Sequence, residues 1–311
     1  MDLNTLPVLS LAQEKGLFAQ GIGDSFRNYG FAMVQDHGID QALIDEAWAI
    51  TKEFFELSEA EKRSYYIAGI SGARGYTPFK TEIAKGATAH DLKEFWHVGR
   101  DVPAGSPLAA SMPPNVWPAR PERFKDVFEK LYAEFDKCGA VILSRIAVFL
   151  GLPENWFDPT IEDGNSVLRL LHYPPIANAE GGAIRAGAHE DINLITLLLG
   201  AEEAGLELLT KEGRWIGVFP PKGAMVINIG DMLQRLTNHY LPSTTHRVRN
   251  PDAERARYSR YSMPFFLHLR SDFPFQTLPQ CITPENPDRY PVSITADDYL
   301  QERLREIGLK K

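Results

Sequence analysis

The sequence predicts an α+β fold with a mainly β core, built as an antiparallel barrel or jelly roll with flanking helices. Two observations predict it. A mixed α/β segment over about residues 6–110 is followed by a long amphipathic helix, and after Pro159 the apolar residues follow the period of β-strands. The many short strands of this second part are separated by turn signals, such as Pro220-Pro221-Lys222-Gly223, and this spacing is typical of barrels and jelly rolls.

Length and composition describe an ordinary globular protein. The chain has 311 residues, of which 44% are hydrophobic and 24% charged, enough to bury a sizeable core. Barrel enzymes often reach this length as one unit. The net charge of −8, without a dense Lys/Arg cluster, argues against a nucleic-acid partner, because nucleic-acid binding needs a basic face.

The same sequence suggests a reduced cytoplasmic protein. Cys138 and Cys281 are too few for a disulfide framework or a cysteine-based zinc site. The start of the chain lacks the basic and apolar regions of a signal peptide, and no apolar run approaches the roughly 20 residues of a membrane span. We therefore expect no membrane partner, and the sequence carries no signal for an oligomeric state.

The N-terminal segment is predicted to contain a short buried strand over residues 30–34, followed by a helix with apolar residues at helical spacing. Ser58-Glu59-Ala60-Glu61 has the form of a capping box and predicts a second, short helix. The glycine-rich stretch 69–76 is predicted to be a surface loop, because it lacks the strand-to-helix setting of a phosphate loop.

Further along, residues 120–150 predict the long amphipathic helix, which Gly151-Leu152-Pro153 ends. A polar helix is predicted from residue 295 to the end. The predicted strands lie between these two helices, at residues 167–173, 189–199, 206–210, 215–218, 224–229, 244–248 and 257–268.

The tripeptide His189-Glu190-Asp191 is the first part of a predicted metal site. In an extended strand, His189 and Asp191 point to the same face. His246 lies in a later predicted strand and would add a second imidazole; His239 is the rival, but it is predicted to lie in a turn. Two imidazoles and one carboxylate with open positions are typical of non-haem Fe(II) oxygenases, and zinc with the same ligands remains a hydrolase-type alternative.

Arg260 and Ser262 share one face of a predicted strand, and a guanidinium can hold a carboxylate through two parallel hydrogen bonds. Arg257 and Ser259 have the same spacing. Because three residues separate the two pairs, they lie on opposite faces of a regular strand, so only one pair can face the metal.

Arg169, Leu171 and Tyr173 share a face of another predicted strand by the same alternation. If that face points inward, Arg169 could pair with an anionic or polar substrate. As the alternative, Arg169 is an exposed strand arginine.

The chain resembles the isopenicillin N synthase-like branch of the 2-oxoglutarate- and Fe(II)-dependent dioxygenases, from about residue 5 to about residue 270. The resemblance implies a double-stranded β-helix, or jelly-roll, barrel. It rests on a set of short matches: Tyr29-Gly30-Phe31, Asp36-His37-Gly38, Asp91-Leu92-Lys93-Glu94-Phe95, Leu171-His172-Tyr173-Pro174-Pro175, His189-Glu190-Asp191, Asn228-Ile229-Gly230-Asp231, His246-Arg247-Val248 and Arg260-Tyr261-Ser262.

The resemblance implies roles for these residues. His189, Asp191 and His246 would bind Fe(II), and no further catalytic residue is expected. Arg260 and Ser262 are favoured over Arg257 and Ser259 for the far carboxylate of 2-oxoglutarate, because Met263-Pro264-Phe265-Phe266 follows them. Tyr173 would bond the same cosubstrate. The region of Arg74 and Tyr76 would lie near the mouth of the site, which makes both candidates for substrate contact. The site residues so implied are, in full: His189, Asp191, His246, Arg260, Ser262, Tyr173, Arg169, Arg74 and Tyr76.

The implied organisation is an N-terminal non-haem dioxygenase segment (5–120), a supporting helix and linker (121–160), a jelly-roll core for Fe(II) and 2-oxoglutarate (161–270) and a C-terminal tail (271–311). The implied activity consumes O₂, oxidises a small molecule by hydroxylation, desaturation or cyclisation, and releases succinate and CO₂. Two alternatives remain: an Fe(II) oxidase of the same fold that does not use 2-oxoglutarate, and a binding protein without turnover.

Overall fold

A computed structural model of the protein describes residues 6–70, 72–81, 90–103, 105–176, 184–199, 205–252 and 254–306. Its helices are α1 (Lys15–Tyr29), α2 (Gln41–Glu56), α3 (Glu59–Arg63), α4 (Phe124–Phe149), α5 (Asp158–Ile161), α6 (Asp231–Leu236) and α7 (Ala296–Glu306). Its strands are β1 (Val8–Ser10), β2 (Phe31–Gln35), β3 (Gly75–Thr77), β4 (Glu94–Gly99), β5 (Val167–Tyr173), β6 (Ala186–His189), β7 (Ile195–Leu199), β8 (Leu206–Leu209), β9 (Trp215–Gly217), β10 (Met225–Ile229), β11 (His246–Val248), β12 (Arg260–Leu267), β13 (Pro274–Phe275) and β14 (Ile294–Thr295).

Two sheets form the barrel. The large sheet has eight strands in the order β1-β2-β10-β7-β12-β5-β4-β3, and the small sheet has four in the order β6-β11-β8-β9. Only the β1–β2 pair in the described chain is parallel. The predicted jelly roll with a mainly β core is therefore confirmed.

The large sheet is buried on both faces, as its apolar strands require. Along β2, Ala32 and Val34 pack into the main core with the helices, whereas Phe31 and Met33 point the other way into a smaller apolar cluster with the small sheet. This alternation of side chains places the helical layer outside and leaves the space between the two sheets for a cavity.

Helix α4 is the long predicted helix, and it packs across the outer face of the large sheet. Phe135 stacks on Phe265 of β12 with ring centroids 5.3 Å apart. Gly139 lets the strand come close, because a Cβ there would lie 2.2 Å from Cδ1 of Leu267. The helix supports the back of the strand that carries Arg260.

The predicted strand over residues 189–199 is wrong as one element. Strand β6 ends at His189 in the small sheet, and β7 begins at Ile195 in the large sheet, so the chain crosses between sheets in the crossing segment 190–194. The turn from β10 into α6 holds this segment by backbone hydrogen bonds, in which Gly230 donates to Leu194 and Asp231 donates to Asp191.

The other predicted elements are present with shifted ends. The elements that were not predicted are α1, α5, α6, β1, β4, β13 and β14. Ser58 caps α3 by accepting a hydrogen bond from the backbone of Glu61 at 3.3 Å, so the predicted helix begins as expected, while the Glu61 carboxylate pairs with Arg120. The glycine-rich stretch is not all loop, because part of it forms β3 at the edge of the large sheet. The predicted C-terminal helix is present as α7, and residues 307–311 lie outside the described part. No helix in the described ranges is both long and apolar enough to span a membrane.

Candidate metal centre

The two histidines of the predicted site face each other on the small sheet. His189 at the end of β6 is paired in register with His246 at the start of β11, and the ring centroids are 4.4 Å apart. Phe31 of the large sheet meets the His246 ring edge-on at 5.5 Å. The antiparallel pairing therefore makes the imidazoles converge, although many residues separate them in sequence.

Asp191 reaches the same point from the crossing segment. Its Oδ1 lies 3.8 Å from Nε2 of His189 and 3.8 Å from Nε2 of His246. Among the described residues these three form the one group of three or more His, Cys, Asp and Glu whose ligand atoms converge, all lying within 4.8 Å of one another. Asp191 thus completes the triad without lying in a strand.

Hydrogen bonds to the backbone orient both imidazoles. Nδ1 of His189 donates to the carbonyl of Gly187 at 2.7 Å, and Nδ1 of His246 donates to the carbonyl of Thr244 at 3.1 Å. With the proton on Nδ1, each Nε2 directs its lone pair into the centre.

Among the residues that the structure describes, the hydrogen bonds to the carboxylate of Asp191 reach its Oδ2. Its Oδ2 accepts hydrogen bonds from Thr196 Oγ1 at 2.5 Å and Asn228 Nδ2 at 2.8 Å, and this leaves Oδ1 for a metal. Thr196 was not predicted from the sequence, and Asn228 was noted there only as part of a motif. The signal available in the sequence was one polar residue within each of two apolar strands, Thr196 in β7 and Asn228 in β10.

The pKa shifts of Asp191 and His189 suit metal binding. Burial acts to raise the pKa of Asp191, but the imidazoles of His246 and His189 and the two donors bring the pKa below its usual value. The pKa of His189 is lowered by burial and by the neighbouring His246 imidazole. A donor set of two imidazole nitrogens and one carboxylate oxygen at the edge of a cavity fits Fe(II).

The opposite wall of the cavity belongs to the large sheet. Arg260 pairs in register with Tyr173, and Ser262 pairs with Leu171. Arg260 is 3% exposed, its Cζ lies 5.1 Å from the centre of the Tyr173 ring, and its Nη1 lies 3.5 Å from Ser262 Oγ. All four side chains line the cavity that also contains the triad.

The rival pair Arg257 and Ser259 lies elsewhere. Arg257 is exposed at the end of a short 3₁₀ turn that precedes β12, so no strand alternation applies to it. The Oγ of Ser259 bonds Nε2 of His172 at 2.9 Å, and neither residue is among those that line the cavity.

Arg169 lines the cavity, as the inward-facing alternative requires. Its guanidinium carbon lies 4.2 Å from the centre of the Phe95 ring and 5.3 Å from that of Phe266. Its Nε donates to Nε2 of His97 at 2.5 Å. The contacts with Phe95 and His97 were not predicted, although strand pairing between β4 and β5 places these residues beside Arg169 and Leu171.

Lys93, just before β4, is a second cation on the cavity wall, and the sequence did not predict this role for it. Its Nζ lies 2.9 Å from Asp91 Oδ2, and Asp91 Oδ1 accepts a hydrogen bond from the Gly187 N–H at 3.0 Å. Because the carbonyl of Gly187 orients His189, this ion pair supports the metal centre from outside. The motif Asp91-Leu92-Lys93-Glu94-Phe95 was the feature of the sequence that could have indicated this role.

The structure does not place Arg74 or Tyr76 at the cavity, and their assignment as substrate contacts is corrected. Both are fully buried, with exposed fractions of 2% and 0%. Tyr76 donates a hydrogen bond to Glu94, and the Arg74 guanidinium lies so close to Gly99 that a Cβ there would be 1.8 Å from Cζ. The reason is that this stretch adds a strand to the sheet edge instead of forming a loop. His239 contacts Tyr290 instead of the triad.

Comparisons with known proteins agree with this site. Residues 2–120 match the family model of the non-haem dioxygenase in morphine synthesis N-terminal region, and residues 164–269 match that of the 2OG-Fe(II) oxygenase superfamily. A 2-oxoglutarate-Fe(II) type oxidoreductase of Emericella nidulans is 31% identical, with 94% of this chain and 85% of that protein covered. The 2-oxoglutarate-dependent dioxygenase citB of Monascus ruber is 35% identical, with coverage of 88% and 84%.

Solved structures are similar over nearly the whole chain. A 2OG-Fe(II) oxygenase family protein from Caulobacter crescentus has a TM-score of 0.91 at 54% identity, with 98% of this chain and 99% of that chain covered. A full-length Neurospora crassa protein, solved in complex with alpha-KG, has a TM-score of 0.87 at 26% identity, with coverage of 98% and 97%. The chain belongs to the superfamily of 2-oxoglutarate- and Fe(II)-dependent oxygenases, oxidoreductases that act with Fe(II), 2-oxoglutarate and O₂.

Proposed function

We propose that His189, Asp191 and His246 bind the Fe(II), that Arg260 and Ser262 bind the far carboxylate of 2-oxoglutarate, and that the enzyme oxidises a small molecule. The observation that carries this assignment is one cavity with two walls: the triad lies at the small sheet and the crossing segment, and the buried arginine faces it from the large sheet. The oxidation is a hydroxylation, desaturation or cyclisation coupled to the release of succinate and CO₂.

When bound, Fe(II) supplies the O₂ chemistry, and the protein supplies position and environment. His189, Asp191 and His246 would hold the metal with ligand atoms that converge at the wall of the cavity. The fork of Arg260 offers two parallel hydrogen bonds to a carboxylate, and the Ser262 hydroxyl adds a third. Tyr173 packs beneath the guanidinium and holds it in place, and its hydroxyl is the proposed further donor to the cosubstrate.

The remaining wall of the cavity is the proposed substrate site. Arg169 offers a positive charge between the Phe95 and Phe266 rings, an arrangement suited to a small molecule that carries an anionic or polar group. Related structures support a small-molecule substrate: the Neurospora crassa protein was also solved with thymine, and JOX2 with 2OG, Fe and JA. The absence of nucleic-acid and membrane partners and the cytoplasmic location remain predictions.

We also propose that the chain belongs to the isopenicillin N synthase-like branch and is organised as predicted. The order is an N-terminal segment (5–120), a supporting helix and linker (121–160), the core (161–270) and a tail (271–311). The first family match, residues 2–120, spans the N-terminal segment, and the second, residues 164–269, lies within the core.

The test is an anaerobic titration of the Fe(II)-loaded protein with 2-oxoglutarate, followed by the visible charge-transfer band of the chelate. The wild type should show a saturable band. Arg260→Ala should need at least about tenfold more 2-oxoglutarate, since a hydrogen-bonded charge contributes about 1.5–3 kcal/mol. Arg257→Ala is the matched control, and it should titrate like the wild type because its side chain is exposed outside the cavity.

Each other result points to a different interpretation. Bound iron without any band would favour the oxidase that uses no 2-oxoglutarate, with Arg260 and Ser262 on the substrate's own carboxylate. A protein that binds no Fe(II) would contradict the assignment of the triad. An equal effect of Arg257→Ala and Arg260→Ala would contradict the assigned anchor.

A further inference from the structure

The C-terminal helix α7 reaches the metal-binding region through one side chain. Arg303 Nη2 lies 2.9 Å from Asp231 Oδ2 and 4.0 Å from Glu190 Oε2. The Asp231 side chain is only 3% exposed, and that of Arg303 is 20% exposed. A buried carboxylate needs a cation, and the planar guanidinium can serve two carboxylates at once.

Both carboxylates belong to residues that hold the triad. Glu190 stands between His189 and Asp191 in sequence, and its Oε1 accepts a hydrogen bond from Thr245 Oγ1 at 2.7 Å, next to His246. The backbone N–H of Asp231 donates to the carbonyl of Asp191 at 2.7 Å. Arg303 therefore contacts the two residues that connect the three proposed ligands to one another and to α6.

We propose that Arg303 is a positioning residue for the metal centre, which acts through Asp231 and Glu190 to hold the crossing segment in the shape that metal binding requires. This inference rests on the proposed function, because it takes the triad as the metal site. By this proposal, α7 supports the metal centre from outside the cavity. The described residues that line the cavity include none from α7.

Helix α7 has other attachments, so replacing Arg303 does not release it. The ring of Tyr299 contacts Phe275 at 5.3 Å, and the guanidinium of Arg235 on α6 lies 5.3 Å from the centre of the Tyr299 ring. At the start of the helix, the Ala296 N–H donates to the carbonyl of Phe273 at 3.0 Å. The loss of the Arg303 contacts can thus be separated from the loss of the helix.

The test measures metal binding to the metal-free protein with Co(II), whose visible spectrum reports ligand geometry. The main variant is Arg303→Met combined with Asp231→Asn, which removes both charges and leaves no buried carboxylate unpaired. We expect Co(II) to bind about tenfold more weakly, as is typical for residues that support metal ligands. Thermal unfolding of the metal-free variant should stay close to that of the wild type.

Two further variants sharpen the result. Arg305→Ala removes an exposed arginine from the same helix and should leave Co(II) binding unchanged. Arg303→Lys keeps one charge but loses the fork, so its affinity should fall between those of the wild type and the double variant. Unlike the double variant, the lysine variant retains a cation for Asp231 and serves as the folded substitute if the double variant unfolds.

Unchanged Co(II) affinity in the folded Arg303 variants overturns the inference. So does an equal loss in Arg305→Ala, or a loss fully matched by a lower unfolding temperature of the metal-free protein. Wild-type protein that binds no Co(II), or His189→Ala protein that binds it as well as the wild type, would instead refute the metal site itself. These results separate failure of the positioning role from failure of the proposed function.

Discussion

At the scale of single residues, Arg169 is the cavity-lining cation that we propose as the substrate contact. If it binds an anionic group, Arg169→Met should weaken binding of carboxylates and leave neutral analogues almost unaffected. The probe pair is benzoate and benzamide, similar in shape and different in charge, and the readout is their effect on the Fe(II)·2-oxoglutarate band. We expect about tenfold weaker benzoate binding in the variant, the usual contribution of a charged hydrogen bond.

Arg247→Met is the control for this prediction. Arg247 lies next to His246 in sequence, but its guanidinium packs on Trp215 at 4.0 Å and pairs with Glu207, outside the cavity. Its replacement should leave the preference between the two probes unchanged. An Arg169→Met protein that still prefers benzoate to the same extent would contradict the assigned role.

The sequence could predict a site residue where the alternation of a strand showed which side chains share a face. Alternation put Arg260 on one face with Ser262, and Arg169 on one face with Tyr173, and in the structure both faces line the cavity. It could not reveal the donors behind Asp191, because Asp191 lies in the crossing segment outside any strand, and Thr196 and Asn228 belong to two different strands of the large sheet. Tyr76 was misplaced since a short edge strand and a glycine-rich loop look alike in sequence.

At the scale of elements, the crossing segment between β6 and β7 depends on close contact with the start of α6. A Cβ on Gly230 would lie 2.2 Å from the backbone oxygen of Asn193. Gly230→Ala should therefore push this segment outward and destabilise the protein by about 1–3 kcal/mol, the usual cost of overpacking. Because Asp191 lies in the segment, Co(II) affinity should fall as well.

The measurement is urea unfolding of the metal-free protein together with a Co(II) titration. Gly16→Ala is the control: it lies at the start of α1, where a Cβ would meet only its own cap residue Glu14 at 3.2 Å. Alanine is also the better helix former there. Equal behaviour of the two variants would show that the contact at Gly230 carries no special constraint.

Sequence periodicity predicted most elements because it reports which face of each is buried. It predicted α4 and, apart from β6 and β7, the strands from β5 to β12 with small shifts at their ends. It could not report sheet membership, and so residues 189–199 read as one strand although two sheets share them. Long-range pairing decides that division, and local pattern carries no information about it.

At the scale of the whole molecule, Glu94 joins the N-terminal segment to the barrel. From its buried place on β4 it accepts hydrogen bonds from Lys62 of α3 at 2.9 Å, from His172 of β5 at 2.7 Å and from Tyr76 of β3. The side chains of Lys62 and Glu94 are 8% and 3% exposed. Three elements therefore depend on one carboxylate for the pairing of their buried polar groups.

Glu94→Gln should lower the free energy of unfolding by about 3–5 kcal/mol at pH 7, because it leaves the Lys62 ammonium buried without a counter-charge. Burial acts to raise the pKa of Glu94, but His172, Lys62 and Tyr76 bring it below the usual 4.5. The contribution of Glu94 to the free energy of unfolding is therefore complete above the usual pKa of 4.5. It is lost as the pH falls through the lowered pKa of the folded state. Urea unfolding across this range should show the gap between wild type and variant closing on acidification. Glu129→Gln, at an exposed surface pair with Lys125, should change stability by less than about 1 kcal/mol. A gap that stays constant with pH would mean that the carboxylate of Glu94 does not carry the stability of this junction.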